Sequence, residues 1–315
     1  MALFTSGSTG KPKAVLHTQR GLAWKALLMR EVHGLGSHDV VLMPAPLAHI
    51  SGLLNGILVP GVSGMRTVFM ARWDAERALQ LIESDRVSFM VGPPTFFVGL
   101  TSASGFDPRR VESLRLISSG GAAVTPGFVM SASEALGCSV KRTYGSTEAP
   151  TITTSREGDS AEMARDTDGR AVGEAELRVS DPATGRRLPP GAAGEVWVRG
   201  PELFVGYGDP AETAAAHARG SWFRSGDLAI LDEAGWLRIV GRIKDVIIRG
   251  GENISASEVE AVLEAHPAVR QAAAVAYPDP VMGERVAAFV VAPESFDLEA
   301  ARAWFAERGV ARFKA

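Results

Sequence analysis

The first half of the chain alternates short apolar runs with segments in which apolar residues recur every three or four positions. A short apolar run between turn residues predicts a buried strand, and the three-to-four periodicity predicts an amphipathic helix. The predicted helices cover residues 18–32, 75–83, 95–101 and 127–136, and the predicted strands cover residues 67–70, 87–91, 114–118 and 139–143. Strands that alternate with helices predict a mostly parallel sheet covered by helices.

The pattern changes near Gly173, where apolar and polar residues alternate within short runs separated by Gly, Pro and Asp. This alternation predicts an antiparallel β subdomain, with a hairpin at LDEAGWL. From Lys244 onward, strands are mixed with helical segments. Ser257 and Glu260 predict a capping box at the start of a helix over residues 257–265.

These changes predict an α/β protein with two domains. The first is a partial N-terminal domain over residues 1–243, divided into an α/β part (1–172) and the β subdomain (173–243). The second is a partial, small α+β domain over residues 244–315.

Composition excludes several classes of protein. Of the 315 residues, 46% are hydrophobic and 22% are charged, and the net charge of −3 provides no basic field for nucleic acid or an anionic membrane. Cys138 is the one cysteine, which excludes an internal disulfide and fits a reducing compartment. No leader pattern or membrane-spanning segment is visible, and Gly and Pro interrupt the longest apolar stretch, residues 50–62. We expect a cytoplasmic protein.

The opening segment, TSGSTGKPK, has the composition of a phosphate-binding loop. Its glycines allow close approach of the backbone, its hydroxyl and N–H groups donate to anions, and Lys11 adds positive charge. It is not a Walker A loop, because Thr5 stands where that motif requires Gly and Pro12 stands where it requires Ser or Thr. The alternative is a flexible Gly/Ser linker. The two lysines on either side of Pro12, which restricts the backbone, disfavour that alternative.

Two further segments follow predicted strands: SSGGAA at Ser118 and YGSTEAP at Tyr144. Both are expected at the carboxyl edge of the sheet, where ligands bind in open α/β sheets. There Tyr144 can stack on a base, Thr147 can donate to a phosphate and Glu148 can hold Mg²⁺. A plain strand-to-loop turn explains YGSTEAP equally well.

A second group of polar candidates lies later in the chain. Asp227 follows a Ser-Gly turn and can accept hydrogen bonds from two hydroxyl groups, as from a ribose. Arg242 can pair with phosphate or ribose oxygens. The alternative for each residue is a surface salt bridge. The sequence contains no Gly-x-Ser-x-Gly elbow and no paired His or Cys ligands, which disfavours a serine nucleophile and a zinc site.

Five motifs together resemble the acyl-adenylate-forming (AMP-binding) superfamily, which includes acyl- and aryl-CoA synthetases, luciferases and nonribosomal adenylation domains. In chain order the motifs are TSGSTGKPK, YGSTE, GEVWVRGPELFVGY, WFRSGDLA and GRIKDVIIRGGENISASEVE. The resemblance implies the adenylate-forming enzyme fold and a reaction of ATP, with Mg²⁺, and a carboxylic acid to acyl-AMP and pyrophosphate. A thiol, usually coenzyme A, then displaces AMP.

The resemblance also implies which residues contact the nucleotide. The β- and γ-phosphates would be held by Thr5, Ser6, Gly7, Ser8, Thr9, Gly10 and Lys11. The adenine and the rest of the AMP moiety would be contacted by Gly120, Gly121, Ala122, Tyr144 and Gly145. Thr147 would contact the α-phosphate, and Glu148 would hold Mg²⁺. Asp227 would bind the ribose hydroxyls with help from Arg242.

The same resemblance assigns roles to the C-terminal part of the chain. Lys244 occupies the hinge position, about which the small domain rotates between the two half-reactions. Gly250 and Gly251 would line the pantetheine tunnel for coenzyme A. Thr147, Glu148, Lys11 and Lys244 form the implied catalytic set.

The segment between residues 39 and 74 contains no acidic residue. Amino-acid-activating members of the resembled family usually place an Asp in this segment, so the resemblance favours a CoA ligase for a hydrophobic acid, fatty or alicyclic. His49, Phe96 and Gly121 are candidates for the acyl pocket, with Phe96 and Phe97 as its walls. The alternatives are a helix-cap or loop histidine and core packing of the two phenylalanines.

Two parts of the family pattern lie outside this sequence: a long region before the phosphate loop and a late lysine that contacts the carboxylate and the α-phosphate. Lys314 lies too early to be that lysine. We therefore expect a fragment truncated at both ends that adenylates poorly alone and has poor solubility. Two alternatives remain: a non-catalytic nucleotide-binding remnant and a nonribosomal-type adenylation domain.

Overall fold

The computed structural model describes residues 1–5 and 12–311 of the chain. The strands are β1 (Ala2–Thr5), β2 (Lys13–Leu16), β3 (Val40–Met43), β4 (Arg66–Phe69), β5 (Phe89–Gly92), β6 (Leu116–Gly120), β7 (Ser139–Tyr144), β8 (Thr153–Thr154), β9 (Arg170–Ala171), β10 (Glu176–Ser180), β11 (Ala193–Arg199), β12 (Gly206–Tyr207), β13 (His217–Ala218), β14 (Trp222–Leu231), β15 (Leu237–Arg242), β16 (Val246–Arg249), β17 (Glu252–Ser255), β18 (Gln271–Asp279) and β19 (Gly283–Val291). The helices are α1 (Gln19–Val32), α2 (Ile50–Leu53), α3 (Val59–Ser63), α4 (Ala75–Asp85), α5 (Pro94–Thr101), α6 (Pro126–Leu136), α7 (Ala161–Asp166), α8 (Pro210–Ala216), α9 (Ala256–Glu264) and α10 (Leu298–Glu307).

The largest sheet has seven strands in the order β4-β3-β5-β6-β7-β8-β9. Its first five strands are parallel, as the alternation of strands and helices predicted, and β8 and β9 extend it in antiparallel fashion. Successive side chains of a strand point to opposite faces, and both faces of this sheet are covered. Val40 and Leu42 of β3 pack in one apolar cluster with α4, α5 and α6, while Val41 and Met43 pack in another with α1.

The glycines and the proline of the apolar stretch at residues 50–62 do not interrupt a helix, contrary to their usual effect. A π-helical turn, Leu54–Leu58, joins α2 to α3, so the helical conformation is continuous. Pro60 is the second residue of α3, the helix that directly follows the π-helical turn. A Cβ atom on Gly52 would lie 2.2 Å from the Pro46 carbonyl oxygen, so this glycine permits close packing.

Three smaller sheets complete the fold. β1, β2 and β12 form a small sheet in the order β1-β2-β12, and β10-β11-β14-β13 form another, in which β15 pairs with β14. The predicted hairpin at LDEAGWL is the connection from β14 to β15. The last sheet, β17-β16-β19-β18, packs with α9 and α10 around a separate apolar cluster. These sheets confirm the predicted antiparallel β and α+β regions.

The capping box predicted at Ser257 is wrong by two residues. Ser255 is the N-cap of α9 and accepts a hydrogen bond from the Glu258 N–H group. Ser257 instead donates to the Val240 carbonyl oxygen, and Glu260 accepts from the Ala274 N–H group. Both predicted capping residues therefore fasten the helix to neighbouring strands.

The chain divides into two compact units. One comprises Met1–Arg178, Trp197–Arg224 and Asp232–Arg238, and the other comprises Val179–Val196, Ser225–Leu231 and Ile239–Ala315. The boundary between residues 243 and 244 remains a prediction. None of the helices in the described part of the chain is long and apolar enough to cross a membrane.

Candidate functional site

The carboxyl ends of β6 and β7 lie side by side, as the sequence predicted. Gly120 at the end of β6 is paired with Thr143 of β7, and the hydroxyl groups of Ser118 and Thr143 are 2.5 Å apart. A Cβ atom on Gly120 would lie 2.3 Å from the Thr143 carbonyl oxygen, so only glycine fits there. Gly121 and Ala122 follow at once and are exposed. This edge is where open α/β sheets bind ligands.

The segment 145–151, which we call the β7–β8 loop, is a tightly folded turn. The Ile152 N–H group donates to the Tyr144 carbonyl oxygen at 2.7 Å, and Ser146 N–H donates to the Ala149 carbonyl oxygen at 3.0 Å. A Cβ atom on Gly145 would lie 2.4 Å from the Thr151 nitrogen. Thr151 has a φ of 39°, a conformation that costs free energy for a β-branched residue. The hydrogen bonds and close contacts around the loop therefore fix its backbone conformation.

Three contacts hold the two candidate residues of this loop. The Phe204 N–H group donates to the Glu148 carbonyl oxygen at 2.8 Å, and the Tyr207 hydroxyl donates to Glu148 Oε1 at 2.8 Å. His17 Nε2 lies 2.7 Å from the Thr147 carbonyl oxygen. Burial, and next the charge of Glu148, raise the pKa of Tyr207, so the phenol stays protonated and donates. Burial lowers the pKa of His17, so its ring is neutral at neutral pH.

A buried ion pair lies behind the β7–β8 loop. Lys25 of α1 and Glu202 are 0% and 2% exposed, and Lys25 Nζ lies 3.1 Å from Glu202 Oε1. Lys25 Nζ also donates to the Thr151 carbonyl oxygen at 3.1 Å. Burial lowers the pKa of Lys25, and Glu202 partly offsets that effect.

Asp227 and Arg242 form an ion pair in the second unit. Arg242 Nε lies 2.8 Å from Asp227 Oδ1, and the side chains are 56% and 8% exposed respectively. Asp227 N–H donates to Ser225 Oγ at 3.1 Å, and Gly226, with a φ of 75°, makes the turn between them. The structure thus has the salt bridge that the sequence left as an alternative. A carboxylate held in this way can still accept hydrogen bonds from hydroxyl groups.

The other candidate residues occupy varied positions. Lys244 is exposed in the 3₁₀ turn Ile243–Asp245, and Gly250 and Gly251 are exposed in the turn from β16 to β17, with φ values of 59° and 89°. Thr5 ends β1 opposite Lys13. The remaining residues predicted for the phosphate loop, Ser6, Gly7, Ser8, Thr9, Gly10 and Lys11, lie outside the described residues.

The residues predicted for the acyl pocket have structural functions too. His49 Nδ1 accepts a hydrogen bond from the Ser51 N–H group and caps α2, and the ring is exposed. Phe96 is stacked on Trp73 with ring centroids 4.4 Å apart. Phe97, on α5, is fully buried in the apolar cluster that α4, α5 and α6 form against the sheet, which fits the core-packing alternative.

Glu148 is the carboxylate predicted to bind a metal ion. In the part of the chain that the structure describes, no group of three or more His, Cys, Asp or Glu side chains is placed to hold an ion. Glu148 is half-buried and its partner Tyr207 is uncharged, so its negative charge is not neutralised by that contact. This fits a cation such as Mg²⁺, which commonly takes one or two protein carboxylates and fills its remaining positions with water and phosphate oxygens.

Sequence reasoning missed Tyr207 and His17. Tyr207 ends the motif GEVWVRGPELFVGY, in which the sequence indicated no individual functional residue. The structure places Tyr207 in β12, which pairs with β2, and its hydroxyl reaches Glu148. His17 follows β2 and had no local signal. Both residues act on the β7–β8 loop from more than fifty positions away in the chain, so local patterns could not reveal the contacts.

Comparisons with known proteins agree with this geometry. The family described as AMP-binding enzyme matches residues 1–208, and the AMP-binding enzyme C-terminal domain matches residues 258–313. The chain is 38% identical over 316 residues to the medium-chain fatty-acid–CoA ligase of Escherichia coli (strain K12), covering 99% of this chain and 56% of that protein. It is 33% identical over 312 residues to the indoleacetate–CoA ligase of Aromatoleum aromaticum, covering 99% of this chain and 61% of that protein.

Solved structures give the same result. ATP-bound MatB from Rhodopseudomonas palustris matches with a TM-score of 0.91 and 30% identity, over 99% of this chain and 62% of that one. The o-succinylbenzoate–CoA synthetase MenE of Bacillus subtilis, in complex with its acyl-adenylate intermediate, matches with a TM-score of 0.88 and 30% identity, over 100% and 63%. The chain thus spans little more than half the length of the relatives it matches.

Proposed function

The chain belongs to the AMP-binding enzyme family, and we propose that it is the nucleotide-binding part of an AMP-forming acid–thiol ligase. In the proposed reaction a carboxylate oxygen attacks the α-phosphorus of ATP, pyrophosphate leaves, and an acyl-AMP forms. Coenzyme A sulfur then attacks the acyl carbon, and AMP leaves. The observation that carries the proposal is the β7–β8 loop, which holds Thr147 and Glu148 at the carboxyl edge of the parallel sheet.

The proposed reaction is slow without catalysis because one anion attacks another. Thr147 would donate to the α-phosphate, and the opening loop with Lys11 would neutralise the departing pyrophosphate. Glu148 would hold Mg²⁺, which neutralises phosphate charge when it is bound. Tyr207 would keep the Glu148 carboxylate in one orientation by its hydrogen bond. Asp227, fixed by Arg242, would bind the ribose hydroxyls.

The second half-reaction rests on the C-terminal part of the chain. Domains over residues 1–243 and 244–315 are proposed to rotate about Lys244, which is exposed in a short 3₁₀ turn. Gly250 and Gly251 adopt left-handed backbone conformations in a turn without side chains, which suits a passage for pantetheine. A cytoplasmic location, predicted from the sequence, is part of the same proposal.

The proposed acid is hydrophobic and uncharged apart from its carboxylate. Two observations support this choice: the described segment between residues 39 and 74 has no acidic side chain to hold an ammonium group, and relatives named for a medium-chain fatty acid and for indoleacetate are 38% and 33% identical. Gly121 and the exposed ring of His49 are the proposed pocket residues, and Phe96 a wall.

The test is pyrophosphate release by the purified protein with ATP, Mg²⁺ and a panel of straight-chain, aryl, amino and dicarboxylic acids, with and without coenzyme A. We expect a low rate of release that depends on a hydrophobic acid, and acyl-CoA only when coenzyme A is present. ATP binding without release for any acid would instead support the non-catalytic remnant. Release with amino acids alone would support the nonribosomal-type domain.

A further inference from the structure

Lys25 stands in an unusual place for a lysine. It lies in the middle of α1 with no exposed side-chain surface, and its ammonium group is paired with Glu202, which is 2% exposed. Removing two charges from water costs more free energy than an apolar pair of the same size would, so a buried ion pair is weak as a device for stability. A different reason is needed for these two residues.

The contacts of the pair point to the β7–β8 loop. Lys25 Nζ donates to the carbonyl oxygen of Thr151, the residue that ends the loop in a left-handed conformation. Glu202 begins the segment whose Phe204 N–H group and Tyr207 hydroxyl both bind Glu148. The pair therefore connects α1, the far end of the loop and the segment that holds its acidic residue.

Helix α1 packs against the segment that carries Glu202. A Cβ atom on Gly21 of α1 would lie 3.6 Å from the Pro201 carbonyl oxygen, an ordinary van der Waals distance. The second carboxylate oxygen, Glu202 Oε2, is buried and has no hydrogen-bond partner among the described residues. The contact of Oε1 with Lys25 is therefore made by a carboxylate whose other oxygen has no partner among the described residues.

We propose that Lys25 and Glu202 are positioning residues, which hold the β7–β8 loop in the conformation that presents Thr147 and Glu148 to the nucleotide. This proposal rests on the proposed function only for the identity of the ligand, ATP. Without the ammonium group, the Thr151 carbonyl loses its donor, and the strained turn that ends the loop relaxes toward more common backbone conformations. The cost then appears in ligand binding more than in the stability of the fold.

The experiment uses a double variant, Lys25→Met with Glu202→Leu, which replaces the ion pair by apolar side chains of similar size. Such replacements of buried ion pairs often leave stability unchanged or raise it. Three quantities are measured on the whole chain: the melting temperature, amide hydrogen exchange of the peptide over residues 145–152, and the Kd for ATP with Mg²⁺ by calorimetry. We expect an unchanged melting temperature, faster exchange in that peptide and ATP binding weaker by about tenfold.

A matched control is the pair Asp39 and Arg115, which lies at the opposite edge of the same sheet. Asp39 precedes β3 and Arg115 precedes β6, and Asp39 Oδ1 is 2.8 Å from Arg115 Nε. The control variant Asp39→Asn with Arg115→Met removes an ion pair at the amino ends of the parallel strands, whereas the β7–β8 loop lies at their carboxyl ends. We expect a lower melting temperature with loop exchange and ATP binding as in the wild type.

Wild-type ATP affinity and loop exchange in the double variant would overturn the proposal. If the wild-type chain itself binds no ATP, the proposed function fails, and the exchange of residues 145–152 alone then decides the positioning role. Should the double variant not fold, Lys25→Gln with Glu202→Gln, which removes both charges and the long donor to the Thr151 carbonyl oxygen but keeps polar side chains, takes its place. Faster loop exchange in that variant is the expected result, and unchanged exchange would contradict the proposal.

Discussion

Glu148 and Asp227 are the two carboxylates predicted to serve the nucleotide, and the structure gives them different partners. Glu148 is half-buried and accepts a hydrogen bond from the uncharged phenol of Tyr207 at 2.8 Å. Asp227 is 8% exposed and is paired with the charged guanidinium of Arg242, also at 2.8 Å. The distances are alike, but only the second contact neutralises the charge of the carboxylate.

This difference is consistent with the two kinds of ligand that we propose. A phenol fixes the orientation of Glu148 and leaves its full negative charge for a cation. A guanidinium offsets the charge of Asp227, which then suits neutral hydroxyl donors such as those of a ribose. Substitutions of the two carboxylates and of their partners test this difference.

Removing the charge of Glu148 should have the largest effect. Glu148→Gln keeps the side-chain shape and an oxygen for Tyr207, but leaves no anion for the metal. We expect acid-dependent pyrophosphate release to fall by about a hundredfold to a thousandfold, the loss typical of one electrostatic group in an active site. The control is Glu157→Gln, an exposed residue, which should leave the rate unchanged. A rate within threefold of wild type (about 0.65 kcal/mol) for Glu148→Gln would contradict the assigned role.

Asp227→Asn should weaken nucleotide binding without changing its dependence on Mg²⁺. The amide is a poorer acceptor for ribose hydroxyls, and hydrogen bonds to charged groups contribute about 1.5–3 kcal/mol. We expect a Kd for ATP that rises by about tenfold to a hundredfold, equally with and without Mg²⁺, measured by calorimetry. A 2′,3′-dideoxy analogue of ATP should bind the variant and the wild type alike, because it lacks the hydroxyls.

Tyr207→Phe removes one hydroxyl and should have a smaller effect, confined to binding with Mg²⁺. A net hydrogen bond contributes about 0.5–1.5 kcal/mol, so the apparent affinity for Mg²⁺ should fall by about threefold to tenfold. Tyr277→Phe, in an exposed residue of β18, is the matched control and should change nothing. Equal loss of ATP affinity with and without Mg²⁺ would show that Tyr207 serves the fold and not Glu148.

Arg242→Gln should have the smallest effect on stability. The guanidinium is 56% exposed, and ion pairs of that kind contribute about 0–1 kcal/mol. We expect the free energy of unfolding, measured with urea, to change by less than about 1 kcal/mol. Arg238→Gln, in the same strand, serves as the control. A loss several times larger would mean that the pair is a structural element, and the assignment of Asp227 to a ligand would then fail.

Sequence patterns predicted the parallel sheet well because each strand and helix has a strong local periodicity. The α1 helix was predicted over residues 18–32 and spans Gln19–Val32, with Thr18 as its cap. Its apolar positions include Leu22 and Met29, which are buried. Lys25 is three positions after Leu22 and four before Met29, so it lies on the same face of the helix. A lysine side chain is nevertheless usually exposed to solvent. Only the tertiary structure, which supplies Glu202 from 177 positions away, explains a buried lysine there.

The candidate site was predicted in part. Gly120 and Glu148 follow strands, so the rule for sheet edges located them. Local patterns did not separate the alternatives for Phe97 and His49. A phenylalanine in the core and a histidine that caps a helix have the same local sequence pattern as residues that line a pocket. Burial of Phe97 and the hydrogen bond to His49 Nδ1 give both residues a structural function.

The most direct test of the account is one set of calorimetric titrations of ATP, with and without Mg²⁺, into the wild type, Glu148→Gln and Asp227→Asn. We expect that Mg²⁺ tightens binding to the wild type, that Glu148→Gln removes this gain, and that Asp227→Asn weakens binding in both conditions while keeping the gain. If both variants lost affinity by the same factor in both conditions, the two carboxylates would have one shared role, and the comparison drawn here would be wrong.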